Sequence, residues 1–346
     1  MKKMYLICIV AVCSILTANA QIVVVPDTNI VQIVNSFVLS GVTVSNVQYT
    51  GEINTIGQFS GGATTNLGMD NGIAMTTGSF DTTVNVPVGA PVIEFASFSN
   101  GGAGDPLLDA LTGMTTYDAS VLEFDLIPLG NVLEFEYVFA SEEYPEFVGS
   151  SFNDIFAFFI SGPDTASGMY VSENIALIPG TILPVAINNV NAMLNDSFYV
   201  DNQTLNGQTI VFDGFTTVLI ARIFVVPSAT YHLKMAISDV SDGVFDSAIF
   251  LKAQSMKSYF SAVGLNEYEQ NSVILYPNPS SDILNIQAAS WPVEVNILDM
   301  AGKTVQSGLQ SSASETVDVS GLKPGFYIVK TIQPTGRVST SQLMIQ

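Results

Sequence analysis

The stretch LEFEYVFASEEYPEFVGSSFNDIFAFFI, Leu133 to Ile160, decides how this chain folds. Its first part alternates. Leu133, Phe135, Tyr137 and Phe139 fall on one side of an extended chain, and Glu134, Glu136 and Val138 on the other. That two-residue period predicts a strand with one buried face and one solvent face. The last part, FNDIFAFFI from Phe152 to Ile160, lacks the alternation and reads as a strand buried on both faces. Between them, SEEYPEFVGSS supplies Pro, Gly and Ser, the residues of a connection rather than of a helix.

The same text recurs outward from this segment. TVLIARIFVV, Thr217 to Val226, reads as another strand buried on both sides, and turn chemistry punctuates the chain at Gly61-Gly62, Asn71-Gly72, Asn100-Gly101-Gly102, Gly162-Pro163, Asn206-Gly207 and Asp213-Gly214. One short helix is expected, near Ala103 to Leu111. The fold class is therefore all-β, with a large antiparallel β-sandwich or jelly-roll-like domain over 21–256. A mixed polar linker follows over 257–272. A small Ig-like β-sandwich of roughly seven short strands occupies 273–346, with turns at Pro277-Asn278-Pro279, Ala301-Gly302, Pro324-Gly325 and Thr335-Gly336.

Residues 1–20 read as a signal peptide: Lys2 and Lys3, an apolar run from Met4 to Leu16, and Ala18-Asn19-Ala20 before the cut. No later stretch approaches 18 consecutive apolar residues, so no transmembrane helix is expected in the mature chain. Both cysteines, Cys8 and Cys13, lie in the signal, which excludes disulfides, thiolate metal sites and a cysteine nucleophile from the mature protein.

Charge excludes more. The 346 residues hold 10 Lys and Arg against 31 Asp and Glu, a net charge of −21, which removes nucleic acid as a partner. Mean hydropathy of +0.40 removes a disordered acidic tail. From Gln21 to Ala221 there is no Lys or Arg at all, while the same stretch carries twenty-one Asp and Glu. Most of these must face water. Any that folding gathers need protons, wide spacing or a bound cation, and Ca2+ is the natural hard cation for an exported protein.

The candidate metal ligands are Glu142, Glu143 and Asp154 around the Leu133–Ile160 segment, with Asp239, Asp242 and Asp246 in SDVSDGVFDSA. Their spacing does not fit an EF-hand loop. Two readings stand side by side: calcium ligation by irregular loops, or carboxylates that cap turns by accepting backbone N–H bonds. No catalytic residues are assigned. His232 is the single histidine, it sits in an alternating run, and no G-x-S-x-G context surrounds any serine. Formal carboxylate pairs for a glycosidase abound and so discriminate nothing. A glycan-binding surface would have to rely on Tyr and Phe, since Trp291 lies outside the main domain.

Two families are resembled. LYPNPSSDILNI (Leu275 to Ile286), ILDMAGKTV (Ile297 to Val305) and VDVSGLKPGFYIVKT (Val317 to Thr331) resemble the type A C-terminal sorting domain of the type IX secretion system of Bacteroidota. The resemblance implies that Pro277, Asn278, Pro279, Gly325 and Tyr327 form its motifs and that the type IX machinery is a partner. It also implies transfer across the outer membrane, then release or surface attachment. VFASEEYPEFVGSSFNDIFAFFISGP, IALIPGTILPVAINNVN, DGFTTVL and YHLKMAISDVSDGVFDSAIFL are similar to the choice-of-anchor L domain, which implies an exported surface module and no particular ligand. The expected function is a secreted or cell-surface binding or adhesion module, non-enzymatic and calcium-braced, recognising an unknown protein or glycan. The alternatives are an extracellular hydrolase of polysaccharide or protein, or a calcium-dependent lectin.

Overall fold

A computed structural model describes residues 21–166, 168–203, 210–261, 274–287, 293–299, 302–310, 312, 316–332 and 338–346. The expected signal 1–20, linker residues 262–272 and the turns at Asn206-Gly207 and Thr335-Gly336 lie outside them. Two compact units are present, each built on antiparallel strands, with a short parallel pairing of Met256–Tyr259 with Val38–Ser40 in the first and an isolated parallel bridge, Ser280 with Ile345, in the second.

In chain order the first unit contains β1 (Val23–Pro26), α1 (Ile30–Phe37), β2 (Val38–Ser40), β3 (Val42–Thr50), β4 (Ile56–Ser60), β5 (Gly72–Thr76), α2 (Pro106–Thr112), β6 (Thr116–Pro128), β7 (Val132–Ser141), β8 (Ile155–Pro163), β9 (Met169–Asn174), β10 (Tyr199–Asp201), β11 (Gly214–Thr216), β12 (Leu219–Phe224), β13 (Tyr231–Val240), β14 (Ser247–Lys252) and β15 (Met256–Tyr259). One sheet runs β1-β4-β5-β14-β7-β11-β10, with β12 and β15 paired to the first half of β7; the other runs β3-β6-β13-β8-β9.

The inward faces explain the sandwich. Phe135, Tyr137 and Phe139 of β7 meet Phe156, Phe158 and Ile160 of β8 and Leu233, Met235 and Ile237 of β13 in one core. Its rings pack edge to face, Phe135 against Phe158 at 4.6 Å and Tyr137 against Phe158 at 5.0 Å. The other face of β7 is not the solvent face that alternation predicts. Val138 and Ala140 are wholly buried beneath a layer of loops carrying Phe80, Val88, Ala96 and Phe212, a cover that strand periodicity cannot report. On that same face Glu134 takes Arg222 (2.7 Å), Lys257 (3.0 Å) and the Tyr259 hydroxyl (2.9 Å), and Glu136 takes Lys252 (2.6 Å). Asp105 takes Lys234. Basic residues from the last part of the unit thus reach back to acids of the basic-free stretch, where the sequence reading left them to water.

Three further differences have local causes. β12 alternates instead of being buried on both sides, with Ile220 48% exposed, because it pairs with β7 alone. Residues 257–259, expected in the linker, belong to β15. The helix α1 is absent from the sequence reading because its β-branched residues look like strand; its signals were the Asn29 cap on Gln32 N and burial at Ile33, Val34 and Phe37. The expected short helix is α2, capped by Asp105.

The second unit holds β16 (Ile274–Tyr276), β17 (Ile283–Gln287), β18 (Val293–Leu298), β19 (Thr304–Gln310), β20 (Thr316–Asp318), β21 (Gly325–Ile332) and β22 (Val338–Ile345). Sheets β16-β17-β20 and β19-β18-β21-β22 share a core of Leu284, Ile286, Val295, Ile297, Val317, Val329 and Leu343. The sorting motif has a structural role here. Asn278 donates through Nδ2 to Gln342 O (2.8 Å) and accepts through Oδ1 from Met344 N (2.9 Å), so one side chain mimics a strand along β22. Gly325 opens β21 at φ 153°, a conformation that favours glycine, and the Tyr327 hydroxyl donates to Lys323 O at 2.8 Å. Replacing Asn278 by Ala should destabilise this unit by about 1 kcal/mol and speed hydrogen exchange at Met344, read by mass spectrometry; unchanged exchange there would remove the clamp.

Candidate functional site

Among the chain's crossings between the two sheets at one end of the sandwich are those from β7 to β8 and from β13 to β14. Those crossings carry the acidic segments. Glu142 and Glu143 leave β7, Asp154 enters β8, Asp239 ends β13 and Asp246 enters β14, each at most 3% exposed. Asp242 is half-buried and caps its own turn, accepting from Val244 N at 3.3 Å, and its charge bears on Glu143.

Register sets three of the acids in a row. Ala248, Ala140 and Phe215 lie side by side on β14, β7 and β11, followed by Ser247, Ser141 and Gly214. One step further the row is Asp246, Glu142 and Asp213, and Glu142 N donates to Asp246 O (3.1 Å), continuing the ladder. Gly78 completes the row on the β5 side. A Cβ there would come within 1.9 Å of the Asp246 carboxylate, so only glycine leaves it room.

A strap over residues 77–100 closes the row from above. Ala96 N donates to Glu142 Oε1 (2.9 Å), Phe98 N to Asp246 Oδ1 (2.9 Å) and Asn85 Nδ2 to Asp246 Oδ2 (2.6 Å). Behind it, Asp154 accepts from Val240 N (2.9 Å) and from Ser247 Oγ (2.7 Å) and stands beside Asp239, whose carboxyl its charge raises. Asp118, held at φ 53° on β6, accepts from Ser99 Oγ and Asn100 N.

The electrostatics are one-sided. None of the ion pairs among the described residues reaches this group. Three buried carboxylate oxygens, Glu142 Oε2, Glu143 Oε2 and Asp239 Oδ1, have no hydrogen-bond partner. Burial, reinforced by neighbouring acids, pushes Glu142 up to about 9, Glu143 to about 8 and Asp213 to about 6. Burial likewise lifts Asp246 to about 7 and raises the adjoining Asp154 and Asp239 above the ordinary aspartate range. Glu134 shows the contrast: burial would raise it, yet Lys257, Tyr259 and Arg222 hold it below the usual range.

Among the described residues no three Asp, Glu, His or Cys side chains converge closely enough to grip one metal ion. A cation at this end would draw on pairs of carboxylates with amide, hydroxyl and carbonyl oxygens, as calcium sites in loops do. Asp213 and Asp118 were missed by the sequence reading. Asp213-Gly214 reads as a turn, and nothing in the local text of Asp118 marks it.

The pH dependence follows from the sign of these shifts. Folded carboxyls that hold protons above their ordinary values of 3.8 and 4.5 contribute stability that is complete below those values and lost as pH rises through about 6 to 9. In chelator, the chain should therefore lose resistance to urea steadily between pH 5 and pH 9. A flat or rising profile would contradict the one-sided charge.

Comparison with known proteins places both halves. Residues 21–257 match the Choice-of-anchor L domain, and residues 274–346 match the Secretion system C-terminal sorting domain. No curated protein matches the chain. Among solved structures, PorZ, a surface component of the type-IX secretion system of Porphyromonas gingivalis, is 17% identical over 31% of this chain and 14% of its own, with a TM-score of 0.19. The adhesin domain of Epf from Streptococcus pyogenes is 10% identical over 66% and 76%, with a TM-score of 0.18. The BSP domain of a biofilm associated protein is 7% identical over 66% and 49%, also with a TM-score of 0.18. Likeness at that level carries no argument about this fold or its function. The family matches do: the sorting domain marks a type IX cargo, and no helix among the described residues is long and apolar enough to cross a membrane. With more than half of its length in one match, the chain belongs to the choice-of-anchor L domain family, and it is exported by type IX secretion to the outer cell surface or beyond.

Proposed function

We propose that the chain is a non-enzymatic binding or adhesion module whose recognition loops, at the acid-rich end of the sandwich, are braced by calcium. The observation that carries this reading is the set of buried carboxylates there with no cationic partner among the described residues, three of whose oxygens have no hydrogen-bond partner. A scaffold that buries like charges in loops is incomplete without a counter-ion, and calcium outside the cell supplies one that accepts irregular oxygen ligands. The same loops present apolar side chains outward, with Ile93 77%, Phe95 61%, Val84 52% and Val244 50% exposed, which suits contact with a ligand surface. A non-catalytic role is favoured by His232. Both its ring nitrogens face carboxylates, Asp125 at 2.9 Å and Glu123 at 3.3 Å, rather than a hydroxyl nucleophile.

Calcium at about a hundredfold its dissociation constant should raise the melting temperature by on the order of 5–10 °C, reversibly with chelator, while magnesium does far less. An unchanged melting temperature would overturn the bracing. Turnover of an extracellular polysaccharide or protein substrate that disappears in Glu142→Gln would replace the adhesion reading with a hydrolase. Sugar-competable, calcium-dependent retention on a glycan array would identify the module as a lectin.

A further inference from the structure

We propose that a calcium ion bridges the carboxylates of Glu142 and Asp213, across neighbouring strands at the end of β7 and β11; this rests on the calcium-bracing reading and gives it a place. Phe215 pairs with Ala140 and Gly214 with Ser141, and that register, continued one residue past the ends of β11 and β7, sets Asp213 opposite Glu142 on the same face, where the Asp213 charge bears on Glu142. Residues so placed have Cβ atoms roughly 5 Å apart, and like charges there repel unless something lies between them. Both are buried, Glu142 3% and Asp213 5% exposed.

Within the row of Asp246, Glu142 and Asp213, the partners already taken leave one place for the ion. Asp246, on the other side of Glu142, has both oxygens engaged, by Phe98 N and by Asn85 Nδ2. Glu142 has Oε1 engaged by Ala96 N, while Oε2 is buried with no partner. Asp213 is the acid whose charge bears most on Glu142. One oxygen of Asp213 accepts from Gln203 Nε2 at 2.7 Å, which orients the carboxylate, and Asn202 N donates to the Asp213 backbone carbonyl. Glu146, whose charge bears on both acids, stands at the solvent side.

Across the row, Asp246 and Asp213 are two strand spacings apart, roughly 10 Å, too far to share one ion, so the bridge is a two-carboxylate site. Few charged ligands imply weak binding, roughly 10⁻⁴ to 10⁻³ M, the range of extracellular calcium modules. The ion would also fix the strap, since Ala96 hangs from the free oxygen's own carboxylate.

The test is calorimetric calcium titration of the purified chain and of Asp213→Asn, Glu142→Gln and Asp239→Asn. Wild type should show a weak site that Asp213→Asn and Glu142→Gln each weaken by on the order of tenfold or more and that Asp239→Asn retains. If calcium binds but Asp239→Asn alone removes it, the bridge is wrong although bracing stands. If wild type binds no calcium at millimolar concentration, both fall. Hydrogen exchange on the wild-type chain needs no variant: calcium should slow the amides of 95–98 and 212–215, and unchanged exchange in those segments would overturn the bridge.

Discussion

One face of β7 carries carboxylates at both ends, and the described residues provide cations at only one of them. Glu134 and Glu136 meet Arg222, Lys252 and Lys257, contributed by strands that pair alongside or close by. Eight residues after Glu134, on the same face, Glu142 has a backbone N–H and two flanking acids. The rest of the molecule is arranged around that asymmetry. Buried ions without partners are costly, so the acid end must hold protons or acquire positive charge from outside, whereas the basic end is complete as folded.

This places the two readings of the acidic segments in relation rather than in competition. Asp154, Asp246 and Asp242 accept backbone N–H groups and do cap loops, as Asp commonly does. Capping uses one or two oxygens. It leaves Glu142 Oε2, Glu143 Oε2 and Asp239 Oδ1 over, and it does nothing for the repulsion within the Asp246, Glu142 and Asp213 row. Loops tied down by carboxylates are in turn loops whose geometry depends on the charge state of those carboxylates, which links the chemistry of the site to the surface that Ile93 and Phe95 present.

The sequence announced much of this and concealed the part that matters most. Alternation from Leu133 to Phe139 placed the inner core, unbroken hydrophobicity placed β8, and the order of motifs identified both family matches. The loop layer over Val138 stayed hidden, because what covers a sheet face is a tertiary fact that strand period does not encode. α1 was lost to its own β-branched residues. Asp213 was lost to its glycine: Asp-Gly is turn chemistry wherever it occurs, and only the pairing of Gly214 with Ser141 puts that aspartate opposite Glu142. Glu142, Glu143 and Asp154 were legible as an acidic set because no basic residue stood near them in sequence, and Asp239 and Asp246 because they cluster in SDVSDGVFDSA; the absence of nearby bases around Glu134 hid that Arg222 and Lys257 would reach back to it.

Infrared spectroscopy of the purified chain at pH 7 reads the central claim directly, because protonated carboxyl groups absorb apart from carboxylates. In calcium-free buffer the account predicts a protonated-carboxyl band that weakens in Glu142→Gln and weakens likewise when calcium is added to the wild-type chain. A spectrum showing only ionised carboxylates, unaltered by calcium, would contradict it.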